Sequence, residues 1–173
     1  MNRTFVTLAI AALSTLALRA EAKEGVAVAI DVGPNFVVED PNPPESVGLG
    51  FNGRLGYQFD SDVVRLIPEL KVGFEAPGTP SAFRVMGGIR VSLLKGLQPV
   101  VFAHLGGLAG DLEGFTWDVG GGLDLAAGPF TFGANVSYNR AEEQTLTFAT
   151  LVGEPSASAY EWIQIAASVG IVF

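Results

Sequence analysis

The chain has 173 residues, of which 49% are apolar and 16% charged, with a formal net charge of −8, 22 glycines and no cysteine. That length suits one domain, and a charged fraction well under the roughly 25% of soluble domains means the chain either hides much surface or sits in lipid. The acidic balance speaks against a nucleic-acid partner, and the lack of cysteine excludes a disulfide framework, a zinc-finger spacing and a thiol nucleophile.

The N-terminus reads as a secretory signal peptide spanning 1–22. Arg3 supplies the positive n-region, Phe5 to Leu18 a mostly apolar run, and Ala20-Glu21-Ala22 an A-x-A site with cleavage after Ala22. The run is short for a spanning helix, which needs about 20 residues. The mature chain, 23–173, is expected to begin near Lys23, and with no cysteine there it is not a lipoprotein. No other stretch is long and apolar enough for a transmembrane helix, which leaves the closed barrel as the membrane solution.

Eight segments with a period of two follow. "GVAVAIDVG" (25–33) sets Val26, Val28, Ile30 and Val32 opposite Asp31. The second segment, from Val47, contains Gly48-Leu49-Gly50-Phe51-Asn52-Gly53, a match to the dinucleotide fingerprint G-x-G-x-x-G. That reading needs a helix opening inside the motif. Instead Leu49, Phe51, Leu55 and Tyr57 share one face and Asn52, Arg54 and Gln58 the other, with strand periodicity unbroken through the glycines. The segment 63–75 opposes Val64, Leu66, Leu70, Val72 and Phe74 to Arg65, Glu69, Lys71 and Glu75. The next, 83–93, opposes Phe83, Val85, Ile89, Val91 and Leu93 to Arg84 and Arg90. "PVVFAHLGG" (99–107) leaves its register open, because Val100 to Ala103 is apolar on both faces. The sixth, 115–125, sets Phe115, Trp117, Val119, Leu123 and Leu125 against Asp118 and Asp124. The seventh, 130–138, alternates Phe130, Phe132, Val136 and Tyr138 with Asn135 and Ser137, and 162–173 ends on Ile171 and Phe173.

A soluble sandwich would turn the apolar faces inward; a membrane barrel turns them outward. The non-apolar faces are rich in glycine, alanine and serine, which suits a narrow interior, and the apolar faces carry residues too bulky for the inside of eight strands. Aromatics gather at segment ends, with Tyr57, Phe59, Phe130 and Phe173 toward one rim and Phe74, Phe83, Phe115, Trp117 and Tyr138 toward the other, as in a double girdle. The expected fold is all-β: an eight-stranded antiparallel up-and-down transmembrane β-barrel. Short periplasmic turns are expected at 59–62, 94–98 and 126–129. Longer outer loops are expected at 34–46, 76–81, 108–114 and 139–159.

With the signal, the eight strands, the glycine-rich "VGGGLDL" and the closing "SVGIVF", the chain from about 25 to 173 resembles the small outer-membrane barrels of the OmpA/OmpX/opacity type. The resemblance implies an outer-membrane location, contact with its lipid and lipopolysaccharide, and a C-terminal Phe173 read by the barrel-assembly machinery. It does not choose among anchoring, adhesion and ligand binding. The peptidoglycan-binding domain of longer relatives is not expected here.

Chemistry is sparse. His104 is the one histidine. Lipid-modifying barrels such as the lipid A deacylases use a His-x-Ser pair, whereas this chain reads His104-Leu105-Gly106, so a satisfied interior histidine is expected rather than a general base. One histidine and no cysteine leave only carboxylates for a metal. Asn135-Val136-Ser137 fits a glycosylation sequon but lies within a strand, and is taken as chance. The outer loops carry Glu39, Asp40, Glu45, Asp111, Glu113, Glu142, Glu143 and Glu154 against Arg140, a composition for solvation or for divalent cations. The registers place ten charges inward: Arg54, Arg65, Lys71, Arg84 and Arg90 against Asp31, Glu69, Glu75, Asp118 and Asp124. The expected function is therefore a non-enzymatic barrel with a structural or surface-interaction role, a charged packed interior and no cofactor. The alternatives are a lipid-modifying enzyme using His104 and a small channel or carrier of hydrophobic ligands.

Overall fold

A computed structural model describes residues 24–39, 47–61, 63–78, 80–93, 97–143 and 159–173. The signal segment and its cleavage site lie outside the described residues. Eight strands follow one another: β1 Gly25–Glu39, β2 Val47–Asp60, β3 Val64–Ala76, β4 Ala82–Leu93, β5 Leu97–Gly110, β6 Gly114–Ala127, β7 Phe130–Glu143 and β8 Ala159–Val172. Each pairs antiparallel with the next, and β8 returns to β1 to close the barrel. Closure satisfies backbone groups that an open sheet edge would leave bare in lipid. The seam runs to the last residue, whose N–H donates to the Val26 carbonyl at 3.0 Å.

The start of β1 and the end of β8 lie at one rim, here called the base, together with the connections β2–β3, β4–β5 and β6–β7; the opposite rim is the mouth. At the base, Gly128 and Pro129 alone join β6 to β7. Gly128 has φ +63°, a conformation that costs a side chain dearly and glycine little. Ser61 closes the β2–β3 turn by accepting from the Val64 N–H at 3.0 Å.

The side-chain alternation falls as the sequence indicated, apolar outward. Leu49, Phe51, Leu105, Val136 and Val169 are all more than half exposed. Water does not tolerate a belt of this size on a monomer, and lipid does. The aromatics of both predicted rings lie on this outer face, Tyr57 tilted against Phe59 at 4.8 Å at the base and Trp117 against Tyr138 at 5.6 Å toward the mouth. The open register of β5 is settled by its neighbours. His104 pairs with Gly88 and Asp118, so Val101 and Leu105 face out while Val100, Phe102 and His104 face in.

The strand ends differ from expectation at the mouth. β1 runs past Pro34 to Glu39, β5 runs to Gly110, and β7 runs to Glu143, so parts of the loops expected at 34–46, 108–114 and 139–159 are ladder instead. Pro34 looks like a loop residue because it lacks an N–H. Here it pairs with Leu49 of β2, while the β8 pairing passes from Val32↔Ala167 to Asn35↔Gln164 across it. These strands of 12–15 residues exceed the 9–11 a bilayer needs, so the barrel stands out of the membrane.

The outward face is also not wholly free of charge. Arg140 on the emergent end of β7 faces outward with Glu142 and pairs with Glu161 of β8 at 3.1 Å. Val101, 58% exposed, tests the β5 register. Val101→Arg should lower stability in urea unfolding from liposomes by about 2–4 kcal/mol if the site is near mid-depth, less toward an interface. A neutral result would place Val101 inside.

Candidate functional site

The interior is where the chemistry gathers. Outward positions must be apolar, so β2, β3, β4 and β6 deliver their charged residues inward at every second position. Glycine makes the room. A Cβ on Gly50 would collide with the Gln164 amide and the Glu75 carboxylate, and one on Gly88 with the His104 ring.

Toward the mouth, Glu75 is completely buried and receives four side chains. Asn35 and Asn52 donate to it at 2.6 and 2.8 Å, Gln164 at 3.2 Å, and the Arg84 guanidinium lies 2.5 Å away. Arg84 also donates to Asn52 at 2.9 Å and to Asn139 at 2.8 Å. At mid-barrel, Asp118 accepts from Lys71 at 2.8 Å and stands 3.8 Å from Arg84. His104 lies between two carboxylates, with Nδ1 2.6 Å from Asp118 and Nε2 2.9 Å from Glu69. Glu69 in turn takes Arg54 at 3.0 Å and has Arg90 at 3.5 Å. Arg54 reaches Asp31 at 2.6 Å and Ser168 at 2.8 Å. Arg90 reaches Asp124 at 3.3 Å and lies over the Phe102 ring at 4.8 Å.

Nine of the ten predicted interior charges therefore form one connected network. The tenth, Arg65, is separate. It sits half-buried at the base, bonded to Asp60 at 2.8 Å and Gln98 at 2.9 Å. Asp60 falls within the turn expected at 59–62, yet β2 runs through it and its inward parity continues the alternation. The network also needs His104, whose inward parity was hidden by the apolar run Val100 to Ala103, and the neutral amides Asn35, Asn52, Asn139 and Gln164. The sequon residues Asn135 and Ser137 are buried inside the barrel.

Above the network lies an apolar lid of Ala82, Leu108, Ala141, Tyr160 and Trp162, with Val37 and Leu112 packed on it. Trp162 is fully buried, and the Tyr160 hydroxyl donates to the Pro77 carbonyl. Below the network, a cavity of about 40 Å³ is bounded by Arg54, Arg65, Glu69, Arg90, Ser92 and Asp124. It has room for about three waters.

At the mouth, Asp111 accepts from both the N–H and the hydroxyl of Ser81, at 3.0 and 2.9 Å. These donors hold its carboxyl below the usual carboxylate range. Glu142 is paired on a strand rather than free in a loop. Among the described residues no group of three acidic or histidine side chains could hold a metal ion. Asp40, Glu45 and Glu154 lie outside the described residues.

Removing Arg84 strands Glu75 in a site with no solvent, whereas Arg65 is partly wet. Arg84→Ala should cost about 3–5 kcal/mol and Arg65→Ala about 1 kcal/mol or less, both read as shifts in urea unfolding. Equal losses would deny the burial difference.

No family model matches the chain, and no curated protein matches it. Among solved structures, Neisserial surface protein A is similar over 86% of this chain and 97% of its own, at 16% identity and a TM-score of 0.50. The Ail attachment invasion locus protein of Yersinia pestis, in complex with the heparin analogue sucrose octasulfate, aligns over 87% of this chain and 99% of its own, at 14% identity and 0.47. The outer membrane enzyme PagL aligns over 85% and 99%, at 17% and 0.44. The fold is that of the eight-stranded outer-membrane barrels.

Proposed function

We propose that this outer-membrane barrel is a structural or surface-interaction protein whose interior neither conducts nor catalyses. The observation that carries the reading is the network itself. Charged side chains span the lumen from Glu75 to Asp124 with direct contacts, the mouth above them is apolar, and the cavity below is too small for a lipid chain or a hydrophobic ligand. Buried charges tied this densely stiffen the wall that carries the loops. Work at the cell surface then falls to the mouth, where the strands stand clear of the bilayer. Contact with lipopolysaccharide there, directly or through divalent cations at the acidic loops, belongs to the same proposal.

Lipid modification through His104 is the competing reading, and the His104–Asp118 pair is the feature that favours it. A general base needs a free nitrogen within reach of the proton it takes. Both nitrogens of His104 face carboxylates, the ring is 3% exposed, and its neighbours point away from lipid.

Purified protein in planar bilayers should give no stable channel, and lipid A from cells with and without the protein should have the same mass spectrum. Steady large openings would overturn the sealed interior; a shortened or altered lipid A would overturn the non-enzymatic reading.

Phe173 is proposed to serve assembly. Its side chain is 64% exposed on the lipid face, and its N–H completes the β8–β1 seam. A chain ending at Val172 should yield less folded, heat-modifiable barrel in the outer membrane. Undiminished assembly would show that the terminal residue has no such role.

A further inference from the structure

We infer that His104 is a proton-binding site of the barrel, doubly protonated between Glu69 and Asp118 and in exchange with the base side only. Three observations meet here. The first is donor geometry. Each ring nitrogen faces a carboxylate oxygen, at 2.6 and 2.9 Å, and only the imidazolium has an N–H for each.

The second is charge. Of the inward charged side chains that the structure describes, the connected network holds Asp31, Glu69, Glu75, Asp118 and Asp124 against Arg54, Lys71, Arg84 and Arg90, beside the separate Asp60–Arg65 pair. Within the network five face four, and the proton on His104 makes the fifth positive charge. Burial opposes charging the ring, but two charge-assisted hydrogen bonds act for it. The groups facing this centre come from seven strands. β1 offers Asp31, β2 Arg54, β3 Lys71 and Glu69; β4 adds Arg84 and Arg90, and β6 adds Asp118 and Asp124. From β7 and β8 come only neutral groups, Asn135, Ser137 and Gln164.

The third is access. Glu69, the partner of Nε2, borders the base cavity of about 40 Å³. A second cavity of about 10 Å³, near the size of one water, touches His104, Arg90, Asn135 and Ser137. Asp124 Oδ1 borders the first cavity and Asn135 Nδ2 the second, each buried with no protein partner, as are Asn35 Oδ1 and Trp162 Nε1 toward the mouth, which border neither cavity. Toward the mouth, the fully buried Arg84–Glu75 pair and the Trp162 lid stand in the way.

The exchange itself is simple. The Nε2–H bond breaks, the electron pair stays on nitrogen, and the proton passes to Glu69 and from it to water in the base cavity. The interior is then one negative charge in excess, and Glu69 and Asp118 each lose a charged donor. The stability these carboxylates lend is present while His104 holds its proton and is lost as pH rises through the titration of the folded barrel. The barrel so carries a latch set by the pH on its base side.

Because His104 is the one histidine, labelled imidazole gives an unambiguous NMR signal from the full barrel in liposomes of uniform orientation. The expected spectrum at neutral pH is that of a ring protonated on both nitrogens. It should titrate when pH is changed on the base side and stay fixed when it is changed on the mouth side. A neutral tautomer at neutral pH, or a response from the mouth, would overturn the inference. His104→Gln supplies a second reading. The unfolding rate of the wild type in urea should rise on the order of tenfold across the NMR titration, and that of His104→Gln should stay level. Parallel pH profiles for the two would also overturn it.

Discussion

Everything in this barrel follows from where a charge is allowed to be. Eight strands in lipid have two faces, and on the outer one a mid-depth Arg or Lys costs about 2–4 kcal/mol. Asp31 of β1 and the charges of β2, β3, β4 and β6 are therefore placed in a lumen that side chains just fill. There they meet a second constraint, because a buried charge without a partner is as costly as one in lipid. Only a mutually paired set survives both. Arg54 between Asp31 and Glu69, and Arg84 between Glu75 and Asp118, are the local solutions.

The backbone serves the same end. Inward glycines at 50 and 88 stand where the long side chains of Gln164, Glu75 and His104 need to cross the lumen. A larger residue there would not fill a void; it would displace a charged partner. In the "GLGFNG" stretch Gly50 makes this room, Gly48 lies against the Ala76 backbone and Gly53 faces outward, so its likeness to a phosphate-binding turn is one of letters. Propensity alone would disfavour so much glycine in a strand; tertiary packing outweighs it.

This division of faces made most of the fold legible before any coordinates. Period-two alternation assigned inward and outward residues on seven segments, because lipid allows few exceptions. β5 was opaque for a physical reason: Val100 and Phe102 are apolar residues facing inward, one of them packed under Arg90, so the segment lacks a polar side. Its register is fixed only by its neighbours, through His104↔Asp118 and Gly88↔His104. Strand ends were opaque as well. Pro34 marks a turn in most contexts, and only pairing across the seam with β8 shows that the ladder continues past it. The charges were readable singly, yet the sum was not. Five against five looked complete because Asp60 lay in a supposed turn and His104 in an undecided register.

Those two omissions bear on function as well as on the count. Arg65 pairs with Asp60 beside the base cavity, while Tyr160, Trp162 and Leu108 form an apolar cluster toward the mouth. The barrel is therefore asymmetric along its axis although its strands are nearly equal in length. In the function proposed above, a lumen crossed by paired charges is unsuited to passing solutes, whatever their number. It is suited to holding a rigid wall under the surface loops while staying in contact with the solution on the other side. In such a design both ring nitrogens of His104 are held by carboxylates from β3 and β6, and those two neighbours matter more to its role than nearness to any serine.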